Sequence, residues 1–313
     1  MMQTWFVFVL AAMMAVTVHA APTRVVLMDF EDQSGGSMDQ SLGGMVNSEQ
    51  LASKGIYALS RELLEKGDFV LIDRRDFMKQ MQEMETSDAG KPSGIKTSYI
   101  QAAQALRADV ILRGVLQSFS TGKEKINQGG YQADFATVTV RVVVEAVDAV
   151  DGSILAMAEG FANERFRQTA AKQTELGEDE VLQLMQRAIN NAIPELSTAL
   201  NARMETNANR GRVMLAVNAT ENPAMVEVDG VLVGTTPFEN LEVYKGDHVF
   251  SVTRPGYQTI TKRIVLEGNT KIEVPMLRTD LTADEKKEVM EQADMRMYFN
   301  EGGRPDFVIQ TID

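Results

Sequence analysis

The stretch VEVDGVLVGTTPFENLEVYKGDHVFSVTRPGYQTI, Val226 to Ile260, alternates apolar and polar residues with a period of two and is punctuated by glycine. Val226 and Val228 alternate with Glu227 and Asp229, and Phe250 and Val252 with Ser251 and Thr253. Further on, Ile272 and Val274 alternate with Lys271 and Glu273. Such alternation buries one side of a strand and wets the other. Asp229-Gly230, set between two runs, reads as a two-residue hairpin turn, and Gly234, Pro237, Gly246 and Gly256 read as structural turn residues. The stretch predicts a small antiparallel β-sandwich.

Composition sets bounds around it. The chain has 313 residues, 44% of them hydrophobic, enough for two modest domains with their own cores. A net charge of -13 and the lack of any basic cluster argue against a nucleic-acid partner, because phosphate backbones are held by grouped Lys and Arg. Charge is unevenly spread: Asn207–Thr279 balances eight basic against eight acidic residues between two acidic flanks. The polar run METNANRGR, Met204 to Arg212, reads as the linker at its border.

The N-terminus carries an uncharged apolar run from Trp5 to Val18 followed by VHA-AP. The run is short for a bilayer span and precedes small residues, so residues 1–20 are expected to be a signal peptide cleaved after Ala20. No Lys or Arg precedes it, which leaves an uncleaved anchor as the alternative. Cysteine is absent, so disulfides and a lipid-modified cysteine are not expected.

Residues 21–206 read as alternating strands and helices. RVVLMDF and FVLID are strands, and LASKGIYALSRELLEKG is a helix with Leu51, Ile56, Leu59, Leu63 and Leu64 near one face, ending at Gly67. RRDFMKQMQEM and YIQAAQALR are helices. ADVILRGVLQSF, ATVTVRVVVEAVDA and SILAMAEGFA are strands, the last two joined by a turn in which Asp151 and Gly152 tolerate positive φ. Asp179 to Met204 closes the segment as a helix, kinked or interrupted near Pro194. The pattern is α/β, a mixed sheet with flanking helices.

The runs LASKGIYALSRELLEKGDFVLIDRRDFMKQMQEM, AQALRADVILRGVLQSF and VTVRVVVEAVDAVDGSILAMAEG resemble the CsgG family of curli-assembly channels, whose fold is shared by the penicillin-binding-protein activator LpoB. The resemblance spans about Thr23 to Arg203. It implies a CsgG/LpoB-like mixed sheet, an envelope address, and assembly or binding with envelope proteins. Residues 207–279 resemble the PEGA domain at Asp229, Gly230, Gly234, Thr236, Pro237, Gly246, Pro255, Gly256 and Tyr257. That resemblance implies a cell-surface setting and a carbohydrate as a further candidate ligand, for which Tyr244 and Tyr257 are the candidate ligand-binding residues. The only tryptophan, Trp5, lies in the signal.

A channel of that family would need membrane hairpins at STGKEKINQGGYQAD and NERFRQTAAKQTELGEDE. Consecutive Lys123, Glu124 and Lys125 would force charge into lipid, so the first stretch is expected to be an exposed excursion between strands.

Catalytic chemistry finds few residues. Only His19 and His248 exist, the first within the signal, so His-based triads and His-rich zinc sites are not expected. Neither a phosphate-binding loop nor a dinucleotide fingerprint is present. Asp29, Glu31 and Asp32 follow a strand and read as a solvated loop, with a cation or acid–base pair as the alternative. His248 reads as a partly exposed ring. No catalytic residue, metal site or cofactor is assigned.

Residues 280–313 are expected to form a helix with the stripe Val289, Met290, Ala293, Met297 and Tyr298, then a short strand PDFVIQTI that completes a sheet edge in this molecule or in a neighbour's. The sequence therefore reads as an exported, periplasmic or outer-membrane-associated, non-enzymatic scaffold or regulator of envelope biogenesis. The alternative is a ring-forming homo-oligomeric component of an outer-membrane secretion or surface-fibre system.

Overall fold

A computed structural model describes residues 22–34, 48–86, 96–128, 131–168, 178–280 and 307–312. The expected signal peptide, the expected C-terminal helix and most of the polar loop after Glu85 lie outside the described residues.

Strand β1 (Thr23–Asp32) buries Val25 and Leu27 on one face and Val26 on the other, so both of its faces must be covered. The sheet order is β2-β1-β3-β4-β5, with β2 (Phe69–Leu71), β3 (Val110–Gln128), β4 (Tyr131–Asp148) and β5 (Ile154–Gln168). β1 pairs in parallel with β2 and β3, whereas β3-β4-β5 is an antiparallel meander. Helices α1 (Ser48–Lys66) and α4 (Glu178–Ala208) pack on the face that carries Val138, Val140, Val142 and Val144. Helices α2 (Arg74–Thr86) and α3 (Tyr99–Ala105) cover the other face over Val26, Ile111 and Val147.

Several local expectations change. Leu64 is 59% exposed, because successive helical residues lie about 100° apart and the buried stripe already ends at Leu63. α4 runs unbroken through Pro194 to Ala208, so much of the expected linker is helix. In the turn before β5 only Gly152 takes positive φ; Asp151 instead accepts a hydrogen bond from the Ser153 amide. The stretch after Phe119 is no excursion: β3 and β4 pair from Val110↔Asp148 to Gln128↔Tyr131, with one register shift between Leu116 and Ser118 and unbroken register from there on. Two of its charges are paired across strands, Glu124 with Arg165 at 2.6 Å and Lys125 with Asp134 at 3.9 Å, and Arg165 also stacks over Phe135. Cross-strand pairing of this kind stabilises extended chain where hydrophobicity alone signals a loop.

The second body contains two sheets, β11-β10-β7-β8 and β13-β12-β6-β9. Their strands are β6 (Arg212–Ala219), β7 (Met225–Val228), β8 (Val231–Thr235), β9 (Phe238–Tyr244), β10 (Gly246–Thr253), β11 (Ile260–Leu266), β12 (Thr270–Val274) and β13 (Val308–Thr311). Inward residues such as Val226, Val228, Phe250, Val252, Ile272 and Val274 form one core, so the period-two reading holds. The sandwich departs from wholly antiparallel at one pair, because β6 and β12 run parallel. β13 completes the β12 edge within the same chain.

The hairpin turn at Asp229-Gly230 has φ of 52° and 83°, the double positive φ of a type I′ turn. Gly256, with φ of 83°, follows Pro255 in a turn closed by the Tyr257 amide on the Arg254 carbonyl, the type II pattern. Gly246 opens β10, and Pro237 follows Thr236 through a cis peptide. Gly234 is not a turn residue. It lies inside β8, where an added Cβ would come 3.2 Å from Gln101 Oε1 and 3.1 Å from the Phe238 ring.

Candidate interaction site and domain junction

Two regions gather the side chains that chemistry would use. The first follows from a mismatch in strand length. β2 has three residues against ten in β1, and pairing between them stops at Val25↔Leu71. Beyond that point no strand covers this side of β1 among the described residues, and a groove of about 580 Å³ opens between α1 and the start of α2. Leu27, Ile56 and Leu71 supply part of its apolar lining, with Tyr57 and Met78 on its walls. Tyr57 is 75% exposed and Met78 45%, large apolar surface left in water. The groove lies at the carboxyl end of β2 and beside the middle of β1, lined there by Leu71 and Leu27.

Asp29, Glu31 and Asp32, read from sequence as a loop following the strand, lie within β1 itself, because pairing with β3 runs on to Asp32↔Leu116, and each holds a local contact. Asp29 pairs with Arg74 at the start of α2. Partial burial pushes the Asp32 carboxyl up, but hydrogen bonds from Ser34 and Ser48 outweigh it and hold the group below its ordinary value. Glu31 accepts from the Gln33 side chain. Arg75 closes on Asp73, so both arginines at the groove mouth are paired. No cluster of three His, Asp or Glu side chains suited to a metal ion occurs among the described residues.

The second region is the junction between the two bodies, built by α3. Ser98 caps this helix, accepting from the Gln101 amide, and donates to the Leu232 carbonyl on β8 at 2.8 Å. Gln101 Oε1 accepts from the Thr235 amide, also on β8. Gln104 takes both backbone groups of Glu242 on β9, accepting from its amide at 2.8 Å and donating to its carbonyl at 3.0 Å. β8 and β9 are the edges of the two sheets on this side, so side chains of one helix satisfy backbone groups that would otherwise lie open to another strand. Ile100, fully buried, enters the core of the β body from the same helix.

Tyr244, a candidate ligand platform by sequence, is 1% exposed. Its hydroxyl donates to Asp148 Oδ2 at 2.7 Å, and the Arg210 guanidinium stacks 3.8 Å from its ring centroid. A sugar cannot stack on a ring already covered on one side and enclosed at the junction, so Tyr244 is a structural residue. Tyr257 remains half-buried, with Arg254 over its ring at 5.2 Å. Asp148 also accepts from the Val150 amide and from Asn207 Nδ2. Burial raises the Asp148 carboxyl above its ordinary value despite these donors. Burial, then the Asp148 contact, likewise raises the Tyr244 phenol, which stays a donor.

His248 is buried, contrary to its sequence reading, at 7% exposure. Its Nε2 faces the Tyr244 carbonyl at 2.9 Å and its Nδ1 faces Asp229 Oδ2 at 2.7 Å. Asp229 Oδ1 accepts from the Val249 amide, so this carboxylate ties the type I′ turn to β10. Sequence reasoning missed Gln101, Gln104 and Asp148 because the partners that place them at the junction, Thr235, Glu242 and Tyr244, lie about a hundred or more positions along the chain, and no local motif marks those pairings.

Residues 212–279 match the family model of the PEGA domain, so the β body carries that module; no CsgG-family match accompanies it. No curated protein matches the chain. Similar solved structures include the hypothetical protein CT253 from Chlamydia trachomatis, at 16% identity and a TM-score of 0.32, covering 59% of this chain and 96% of that one. The LpoB C-terminal domain from Salmonella enterica is 14% identical with a TM-score of 0.28, covering 46% and 85%. Lipoprotein GNA1162 from Neisseria meningitidis is 12% identical with a TM-score of 0.29, covering 60% and 99%. Among the described residues no helix is long and apolar enough to cross a membrane.

Proposed function

We propose that this chain is an exported, non-enzymatic scaffold or regulator of the cell envelope, whose CsgG-like α/β body binds a protein partner while the PEGA module is held rigidly against it. The observation that carries this reading is the groove beside β1, where an uncovered strand flank adjoins exposed Tyr57 and Met78. Exposed apolar surface around a concave site is the ordinary signature of a binding surface. The non-enzymatic part is supported by what the titratable groups do: Asp29, Asp32, Asp148 and His248 each hold a structural contact. The envelope setting is supported by the expected signal at residues 1–20 and by the PEGA module.

The test is capture from envelope extract by the mature protein, wild type against Tyr57→Asp. A charge on that wall should remove the captured partner and leave the melting temperature unchanged, since Tyr57 contributes little to the core. Equal capture by both chains would reject the groove as the site.

A second reading, self-assembly into a ring, has its own support in Met157 and Phe161, 51% and 43% exposed on edge strand β5. Sedimentation of the mature protein separates the two: a monomer supports the scaffold reading, a closed oligomer the ring.

A further inference from the structure

Strand β13 is held lightly for a strand that closes a sheet. It meets β12 at four register positions, Thr270↔Thr311 to Glu273↔Val308, and the Ile312 amide adds one bond to the Asn269 carbonyl. Of its side chains and their immediate neighbours, only Phe307 enters the core, at 3% exposure. Ile309 and Ile312 stay 38% and 47% exposed, and Gln310 and Thr311 face solvent. β12 is different: Thr270, Ile272 and Val274 are buried, so this strand belongs to the sandwich. Under β13 there is thus a well-built strand edge with a socket for one aromatic ring. The segment seated in it is joined to the rest of the module only through residues 281–306.

An edge of this kind recognises its occupant by backbone hydrogen bonds, which any extended chain can make, and by a side-chain pocket, which sets specificity. The occupant on view defines that chemistry as an extended segment with an aromatic residue followed by two β-branched residues, Phe307-Val308-Ile309. We infer that the β12 edge is a strand-receiving site for an extended segment of a partner protein with that pattern, and that the chain's own C terminus fills it when the partner is absent. The site is separate from the groove beside β1 and stands independently of it. The opposite side of the sandwich cannot serve in the same way, because the edges of β8 and β9 are occupied by Ser98, Gln101 and Gln104.

A strand of the same chain competes with any free one, so the wild-type chain should bind a free segment weakly and a chain with a loosened β13 should bind it well. The probe is a fluorescent peptide of sequence RPDFVIQTID. It is expected to bind the full-length Phe307→Ala chain saturably, about tenfold or more tighter than wild type, while the same peptide with alanine for phenylalanine does not bind. Because the chain has no cysteine, Lys271→Cys with Gln310→Cys, a facing pair, forms a lock without competing thiols. Oxidised, the locked chain should exclude the peptide; reduced, it should take the peptide up as wild type does. Equal binding by the oxidised and reduced forms would overturn the proposal, as would the lack of saturable binding to a folded Phe307→Ala chain. Oxidation that yields mainly disulfide-linked dimers would overturn the assigned occupant in favour of a second copy.

Discussion

The Tyr244 hydroxyl donates to the Asp148 carboxylate across the junction of the two bodies, 2.7 Å apart in space and 96 positions apart in sequence. Asn207, at the end of α4, donates to the same oxygen, so three elements meet on one buried carboxylate. Burial raises this group above its ordinary value of 3.8. A raised folded value means that its contribution to stability is complete below the unfolded value and is lost as pH rises through the folded one. Comparison of wild type with Asp148→Asn by denaturant unfolding should therefore show the difference moving in the variant's favour from about pH 3 to about pH 7. Parallel pH profiles would show that the carboxylate keeps its ordinary value in the fold. Tyr244→Phe, which removes a donor to the carboxylate, should cost about 1.5–3 kcal/mol at neutral pH.

Gly160 on β5 lies against the backbone of α4, where an added Cβ would stand 1.8 Å from the Ala188 carbonyl oxygen. Backbone cannot yield as a side-chain tip can, so Gly160→Ala must lift the helix from the sheet. A loss of about 2–3 kcal/mol is expected, at the upper end for overpacking. Gly122, on the same sheet, has nothing within 4 Å of a built Cβ, so Gly122→Ala should be nearly neutral. Thermal unfolding of the pair checks the contrast, and equal melting temperatures would refute the close packing.

At the I′ turn, Gly230 has open space around a built Cβ, which leaves its φ of 83° as the source of strain. Gly230→Val should destabilise the protein by about 1–3 kcal/mol, because a β-branched side chain is disfavoured at positive φ. Ile100 and the α3 glutamines join the two bodies, so calorimetry should show one transition shifted down as a whole. A loss confined to a separate β-body transition would mean that the junction transmits little energy.

Period-two alternation made the strands of the β body legible, and Asp229-Gly230 marked its hairpin, because both signals are local. Leu51, Ile56, Leu59 and Leu63 likewise announced α1 by their spacing. What sequence could not supply was the company each residue keeps. Tyr244 looks like any strand tyrosine until Asp148 and Arg210 close on it, and Gly234 looks like a turn glycine until Gln101 is found against it. The polar run after Phe119 looks like a loop until β4 and β5 provide Asp134 and Arg165 as partners for Lys125 and Glu124. The groove follows from a difference in length between two strands, a property of neither alone. Local sequence by itself determined most of the helices and strands and the Asp229-Gly230 turn, since periodicity and φ preference act over a few residues. Tertiary structure alone decided the junction, the groove and the C-terminal edge, because their energies come from contacts between segments brought together by folding.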